Sequence, residues 1–230
     1  MKVSIIITSY NYGMYIERTI RSCLAQNLPR NQFEVIVIDD TSTDGTVDHI
    51  QRFTRVPNFH LICNPTNVGV AESSNIGIRA ALGQFVVRVD ADDYINANMT
   101  LFLSEYLEAN HDAFAVACDY ILIDEEENVI GRRYADREPI SCGIMYRRDI
   151  LVRLGLYDPQ FRHLEEKELR LRLGDYYKIH YLHIPYYRYR LHGKNKTSDQ
   201  QIIAAYDAKI GEKYFTTNGE RQVKADSKCE

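Results

Sequence analysis

The sequence predicts an α/β fold built on a mostly parallel sheet, and three observations carry that prediction. Three short β-branched runs in the first half, VSIIIT ending at Thr8, FEVIVI ending at Ile38 and FVVRV ending at Val89, are each followed by a turn signal and a helix-like stretch. Their apolar residues come in succession rather than in alternation, the pattern of strands covered on both faces by helices. Each run ends in a polar cluster: Thr8-Ser9-Tyr10-Asn11, Asp39-Asp40-Thr41 and Asp90-Ala91-Asp92-Asp93. In sheets of this kind ligands bind beyond the carboxyl ends of the strands, so the three clusters are expected to meet on one edge.

A fourth strand, FHLIC from Phe59, joins the set. Residues 13–26, 44–54 and 69–82 read as helices, with Thr43 and Asn67 as N-terminal caps of the second and third. This first half is a nucleotide-binding type of unit. The rhythm changes after residue 112, where DAFAVACDYILID and NVIGRRY read as a long strand and its hairpin partner, turning over Glu125 to Asn128. That predicts a smaller mixed or antiparallel sheet. Arg147 to Leu154 reads as a helix and Leu164 to Leu173 as another, closed by Gly174. KIHYLHI and YYRYRLH read as two short extended pieces, and the last 30 residues as a polar helix with a frayed tail. The expected organisation is one domain over 1–215, divided into halves 1–111 and 112–215, with a flexible tail over 216–230.

The chain has 230 residues, 45% of them hydrophobic and 26% charged, the composition of a folded soluble protein of one large domain. A net charge of −4 gives no field that attracts phosphate backbones, which argues against nucleic acid. An anionic substrate must then be held locally, by a metal ion or by oriented backbone amides. The five cysteines are scattered, odd in number and without a CxxC pair, so neither a disulfide framework nor a zinc site is indicated and a reducing compartment fits. The opening MKVSIIITSY is too short for a signal-peptide core, and no run approaches the roughly 18 to 20 apolar residues needed to cross a bilayer. The expectation is a cytoplasmic protein, with peripheral contact at the inner face of the membrane left open.

Asp90, Asp92 and Asp93 follow directly on an apolar strand and repel one another unless a cation is present. A hard divalent ion with oxygen ligands, Mn²⁺ or Mg²⁺, would supply the cation and bridge two phosphates of a substrate. The competing reading is a polar turn with one Asp capping a helix. VIVIDDTSTDGT also ends a strand in paired acids, as in haloacid-dehalogenase-like phosphotransferases, but that pattern needs an acid where Thr41 stands.

Taken in order, SIIITSYNYGMYIERTIRSCLAQ, VIVIDDTSTDGT, NVGVAESSNIGIRAALGQFVVRVDADD and LEEKELRLRL resemble the successive signatures of the family 2 glycosyltransferases with the GT-A fold. The resemblance runs from Val3 to about Leu173. It implies an inverting transfer of a sugar from a UDP- or GDP-linked donor to a saccharide or lipid-linked acceptor. It places Thr8, Ser9, Tyr10, Asp39, Asp40 and Asn67 around the nucleoside, with Asp40 accepting from a base ring NH and Asp39 supporting it. Asp90-Ala91-Asp92 matches the Asp-any-Asp motif, in which Asp92 binds the metal and Asp90 touches the ribose or the metal. Three positions depart from the family pattern: Thr41 replaces a glycine, Ser74 replaces an arginine for which Arg88 is a candidate substitute, and Glu166 replaces an aspartate.

Glu165 and Glu166 match the family's Glu-Asp pair, whose second acid is the usual base. Glu166, Leu169 and Leu173 also share one helix face, which would draw Glu166 toward the core and raise its pKa. Glu165 remains the alternative base. YYRYRLHGKNKT looks like a loop that closes over the diphosphate, with His192 as a third metal or phosphate ligand and Arg190, Lys194 and Lys196 facing phosphate oxygens. A nucleotidyltransferase is the rival enzyme class, but it carries a Gly- and Arg-rich loop where this chain has TSYNYG. A non-catalytic nucleotide-sugar-binding protein is the third reading.

Overall fold

A computed structural model describes residues 1–193, 195 and 199–215. Lys194, Lys196 and the tail expected over 216–230 lie outside the described residues.

Four parallel strands form the first half of the sheet: β1 (Val3–Ser9), β2 (Phe33–Asp39), β3 (Phe59–Cys63) and β4 (Phe85–Asp90). Every residue of β1 and β2 is buried, which is why their sequences do not alternate. Ile5, Ile7, Val35 and Val37 pack with Ile16, Ile20 and Cys23 of α1 (Ile16–Leu24) and with Ile50 of α2 (Thr46–Gln51). Ile6, Ile36 and Ile38 turn to the opposite face and meet Ala71 and Ile78 of α3 (Gly69–Ala80). The register pairs Ser9 with Asp39 and Thr8 with Asp90, so the three polar strand ends do meet on one edge.

The helix starts differ from the expectation. Gly45 and Val68 occupy the N-cap positions of α2 and α3, and neither Thr43 nor Asn67 caps them. Asp44 Oδ1 accepts from Thr46 N instead, and the Asp40 carboxylate accepts from Val68 N and Gly69 N across the sheet edge. A distant acid does for α3 what a neighbouring side chain does in an ordinary cap.

The second half is continuous with the first. Among the described residues, nine strands form one sheet in the order β3-β2-β1-β4-β8-β6-β9-β5, with β7 paired to β6. Here β5 is Tyr94–Ile95, β6 Ala115–Ile123, β7 Val129–Arg133, β8 Ile144–Arg147 and β9 Ile179–Arg190. The join is β8, antiparallel to both β4 and β6. The two extended pieces expected around Pro185 are a single strand, because the β6–β9 register shifts on either side of Asp119↔Pro185. Proline has no N–H to give a ladder, and an irregularity in the pairing is where a strand tolerates it. Beyond β5 come α4 (Met99–Ala109), α5 (Arg148–Arg153), α6 (Glu165–Leu173) and α7 (Gln200–Tyr214). Gly174 closes α6 at φ 63°, as expected of a helix-terminating glycine.

The approach of α3 to the sheet depends on Gly77. A Cβ there would lie 2.5 Å from Ile6 Cγ2 and 2.6 Å from Ile38 Cδ1. Gly77→Ala is therefore expected to destabilise the protein by about 1–3 kcal/mol through overpacking, seen as a lower urea midpoint with an unchanged denaturant slope.

Candidate functional site

The edge where β1, β2 and β4 end carries a cavity of about 210 Å³, bounded by Thr8, Tyr12, Arg88, the acids Asp90, Asp92 and Asp93, and Glu165. A larger groove of about 1210 Å³ lies beside it, lined by Tyr10, Tyr12, Tyr15 and His192. Tyr12 borders both. Asp90, Asp92 and Glu165 line only the smaller one, and Glu17, Asp44 and Glu125 line only the larger.

The three acids at the end of β4 have separate surroundings. Asp93 is buried and accepts from Tyr187 Oη at 2.7 Å and from Arg190 N at 2.8 Å. Burial, then the charges of Asp92 and Asp90, push its carboxyl well above the usual range. Asp92 Oδ2 lies 2.8 Å from His192 Nε2, and His192 stacks on Tyr15 with centroids 5.1 Å apart. Asp90 Oδ1 accepts from Arg88 Nε at 3.1 Å. Ala91 is buried, and its carbonyl accepts from Thr19 Oγ1.

Asp90, Asp93 and Cys142 each bring a ligand atom within 4.8 Å of one another. Burial and the two acids raise the Cys142 thiol far above its ordinary pKa, so it stays protonated and is a poor partner for a hard ion. Asp93 is already engaged. Asp90 and Asp92 line the same cavity, and the His192 imidazole lies against Asp92.

At the expected nucleoside position the two acids at the end of β2 have different partners. Asp40 accepts from Asn64 Nδ2 at 2.8 Å, Val68 N at 2.9 Å and Gly69 N at 2.8 Å, and its carboxylate holds α3. Asp39 Oδ2 accepts from Ser42 N, whereas its Oδ1 and the neighbouring Ser9 Oγ have no partner among the described residues. Asn67 donates to the Asp40 carbonyl and accepts from Arg162 Nη1. Tyr10 is half exposed at the groove. Thr41, in the family's glycine position, has φ 67°, a left-handed conformation that strains a β-branched residue.

Arg88 does not stand free for a phosphate. It donates to Asp90 and, through Nη1, to Glu165 Oε1 at 2.8 Å. Ser74 is buried beneath it, beside Tyr146 and Tyr157. Arg190 is likewise engaged inside the protein, donating to the carbonyls of Asp92, Asp124 and Glu125 and to Glu127.

The acid pair opening α6 splits. Glu165 faces the cavity. Glu166 turns to Tyr146 Oη at 2.7 Å, Tyr157 Oη at 3.4 Å and Arg170 Nε at 3.0 Å. Burial raises the Glu166 carboxyl, as the sequence suggested, with Arg170 and Tyr146 opposing the shift. Tyr12, Cys142, Arg162 and Tyr187 escaped the sequence reading: Cys142 and Arg162 sit in segments with no motif, and Tyr12 and Tyr187 lie inside quoted motifs but were given no role there.

The model of the family described as Glycosyl transferase family 2 matches residues 4–171. The chain belongs to this family. It is 34% identical over 112 residues to the poly(ribitol-phosphate) beta-N-acetylglucosaminyltransferase TarS of Staphylococcus aureus, a match covering 48% of this chain and 20% of TarS. It is 28% identical over 181 residues to the Escherichia coli UDP-Glc:alpha-D-GlcNAc-diphosphoundecaprenol beta-1,3-glucosyltransferase WfaP, covering 75% and 69%. The sequence match thus spans only a fifth of TarS. Among solved structures, TarS 1–349 with UDP-GlcNAc superposes at a TM-score of 0.74 with 22% identity, covering 92% of this chain and 67% of that one. The Pyrobaculum calidifontis mannosyltransferase PcManGT, in complex with GDP-Man and Mn²⁺, gives a TM-score of 0.74 with 20% identity, covering 92% and 63%. These likenesses show the GT-A fold. Among the described residues no helix is long and apolar enough to cross a membrane.

In this family 2 chain the contributions of Asp39 and Asp40 are separable by substitution. Asp40→Ala removes the cap of α3 and is expected to lower stability by about 1–2 kcal/mol in a denaturant titration. Asp39→Ala is expected to leave the midpoint nearly unchanged while weakening nucleotide binding by calorimetry.

Proposed function

We propose that this chain transfers a glycosyl group, with inversion, from a nucleotide diphosphate sugar to a hydroxyl of a saccharide or lipid-linked saccharide. The observation that carries this reading is one cavity lined together by Asp90, Asp92 and Glu165. Family membership and the printed activities of TarS and WfaP support it, and the titles naming UDP-GlcNAc and GDP-Man support a UDP- or GDP-linked donor.

The nucleoside would lie over the ends of β1 and β2, with its base on the half-exposed Tyr10 and a ring N–H directed at Asp39 Oδ1. Asp90 and Asp92 would hold Mn²⁺ or Mg²⁺, with His192 fixing the Asp92 carboxylate or joining the ligand set. What the ion supplies when bound is positive charge at the departing diphosphate. Glu165 takes the proton of the acceptor hydroxyl. The acceptor oxygen forms its bond to the anomeric carbon as the bond from that carbon to the phosphate oxygen breaks, and the diphosphate leaves with the electron pair. Glu165 is preferred to Glu166 because it faces the cavity, whereas Glu166 is engaged by Tyr146, Tyr157 and Arg170. In this reading a lipid-linked acceptor would be met at the inner face of the membrane.

Thermal melts against UDP-, GDP-, CMP- and dTDP-sugars, with Mn²⁺, Mg²⁺ or chelator, test the donor site. A donor at 100 times its Kd adds about 2.7 kcal/mol, or a rise of roughly 5–10 °C for a chain of this size. The rise is expected with one nucleotide class, lost on chelation and absent in Asp92→Ala; no rise with any donor would refute the reading. Glu165→Gln is expected to lower kcat by about 10²–10⁴-fold, the usual contribution of a general base, and Glu166→Gln by far less. The reverse ranking would move the base to Glu166.

A further inference from the structure

Arg88 is buried in the wall of the candidate active site, yet the transfer reading gives it no contact with substrate. Its side chain is 6% exposed. It leaves β4 in the first half of the chain and donates both to Asp90, two residues away, and to Glu165, 77 residues away on α6. The Tyr157 ring lies on its other side, 5.8 Å from the guanidinium carbon. Tyr157 in turn reaches Glu166, whose remaining partners are Tyr146 and Arg170.

We infer that Arg88 is a positioning residue, a rigid fork that fixes the separation between the Asp90 carboxylate and the cavity-facing carboxylate of Glu165. The guanidinium is planar, charged at every pH the fold survives and able to donate in two directions at once. Without it, the buried carboxylate of Glu165 and the partly exposed carboxylate of Asp90 lose the cation they share and swing apart. Asp90 belongs to the donor and metal side of the cavity, and Glu165 to the acceptor side. Fixing their distance fixes where an attacking hydroxyl stands relative to the bond it breaks, and a misplacement of about 1 Å at such a site lowers rates by about 100-fold. Lysine cannot replace the fork, because it brings a single point charge on a flexible stem.

This inference rests on the transfer reading above, so its test begins with wild-type protein that turns over a nucleotide sugar. Arg88→Lys is expected to lower kcat at least tenfold while donor KM changes less than threefold, with the donor-induced thermal shift retained. In the Glu165→Gln background the same substitution is expected to lower kcat less than threefold, because the carboxylate it positions has gone. Arg88→Ala is expected to regain activity with added guanidinium at concentrations that leave wild type unaffected. Equal losses from Arg88→Lys in both backgrounds, a loss confined to donor KM, or full activity in Arg88→Lys would each overturn the role given to Arg88 and leave the transfer reading standing. Wild-type protein that binds no donor and turns none over would overturn both. Melting of the metal-free variants distinguishes these outcomes from misfolding: if Arg88→Ala does not fold, the Arg88→Lys comparison in the two backgrounds still decides.

Discussion

Three carboxylates at the end of β4 and a fourth on α6 crowd one small cavity, and the surrounding structure is arranged to offset their repulsion. Two unit charges 4 Å apart interact by about 4 kcal/mol at an effective dielectric of 20, so the cluster would oppose folding if left bare. Each acid has its own answer. Asp93 is buried between Tyr187 and the backbone of Arg190, with its carboxyl pushed toward the neutral form. Asp92 meets His192, and Asp90 and Glu165 share Arg88. Tyr187, Arg190 and His192 all come from β9 and the residues just after it. The path of β9 is therefore tied to the charge at the end of β4 as well as to its own pairing.

The same arrangement explains why the stretch read as a phosphate-binding basic loop is partly internal structure. Arg190 is 3% exposed and spans the carbonyl of Asp92 and the β6–β7 turn, while Arg18 also reaches Glu127 of that turn. A basic residue in a polar sequence context looks like a surface charge. Here it gathers carbonyls that have no ladder partner at the turn, which only the fold reveals.

The parallel half of the sheet was legible because its signal is local. Runs such as SIIIT and EVIVI have one structural solution when no alternation is present, and the acids after them fall where such strands end. Legibility failed where the deciding partner is remote. Thr43 and Asn67 have the chemistry of caps, but Asp40 takes that part for α3 from the next strand end. Pro185 looked like a break because its tolerance depends on a shift in pairing with β6. The acid pair on α6 was recognisable as a pair, but successive helical residues point about 100° apart, and only packing against Arg88 and Tyr146 shows which one faces the cavity. Thr41 carries a strain that the glycine of the family pattern would not, and its sequence neighbours give no hint of why it is kept.

The reach of β9 also orders events in time. The last strand brings Tyr187 and Arg190 to an acid nearly a hundred positions earlier. A chain whose synthesis has passed β4 but not β9 holds its acids together without the groups that offset them. The first four strands can pair early, because their contacts are closer in sequence, but the cavity takes its final form only when β9 arrives. Assembly of the site is thus a late and long-range event, of the kind that slows folding and leaves an edge of β6 open to other chains in the interval.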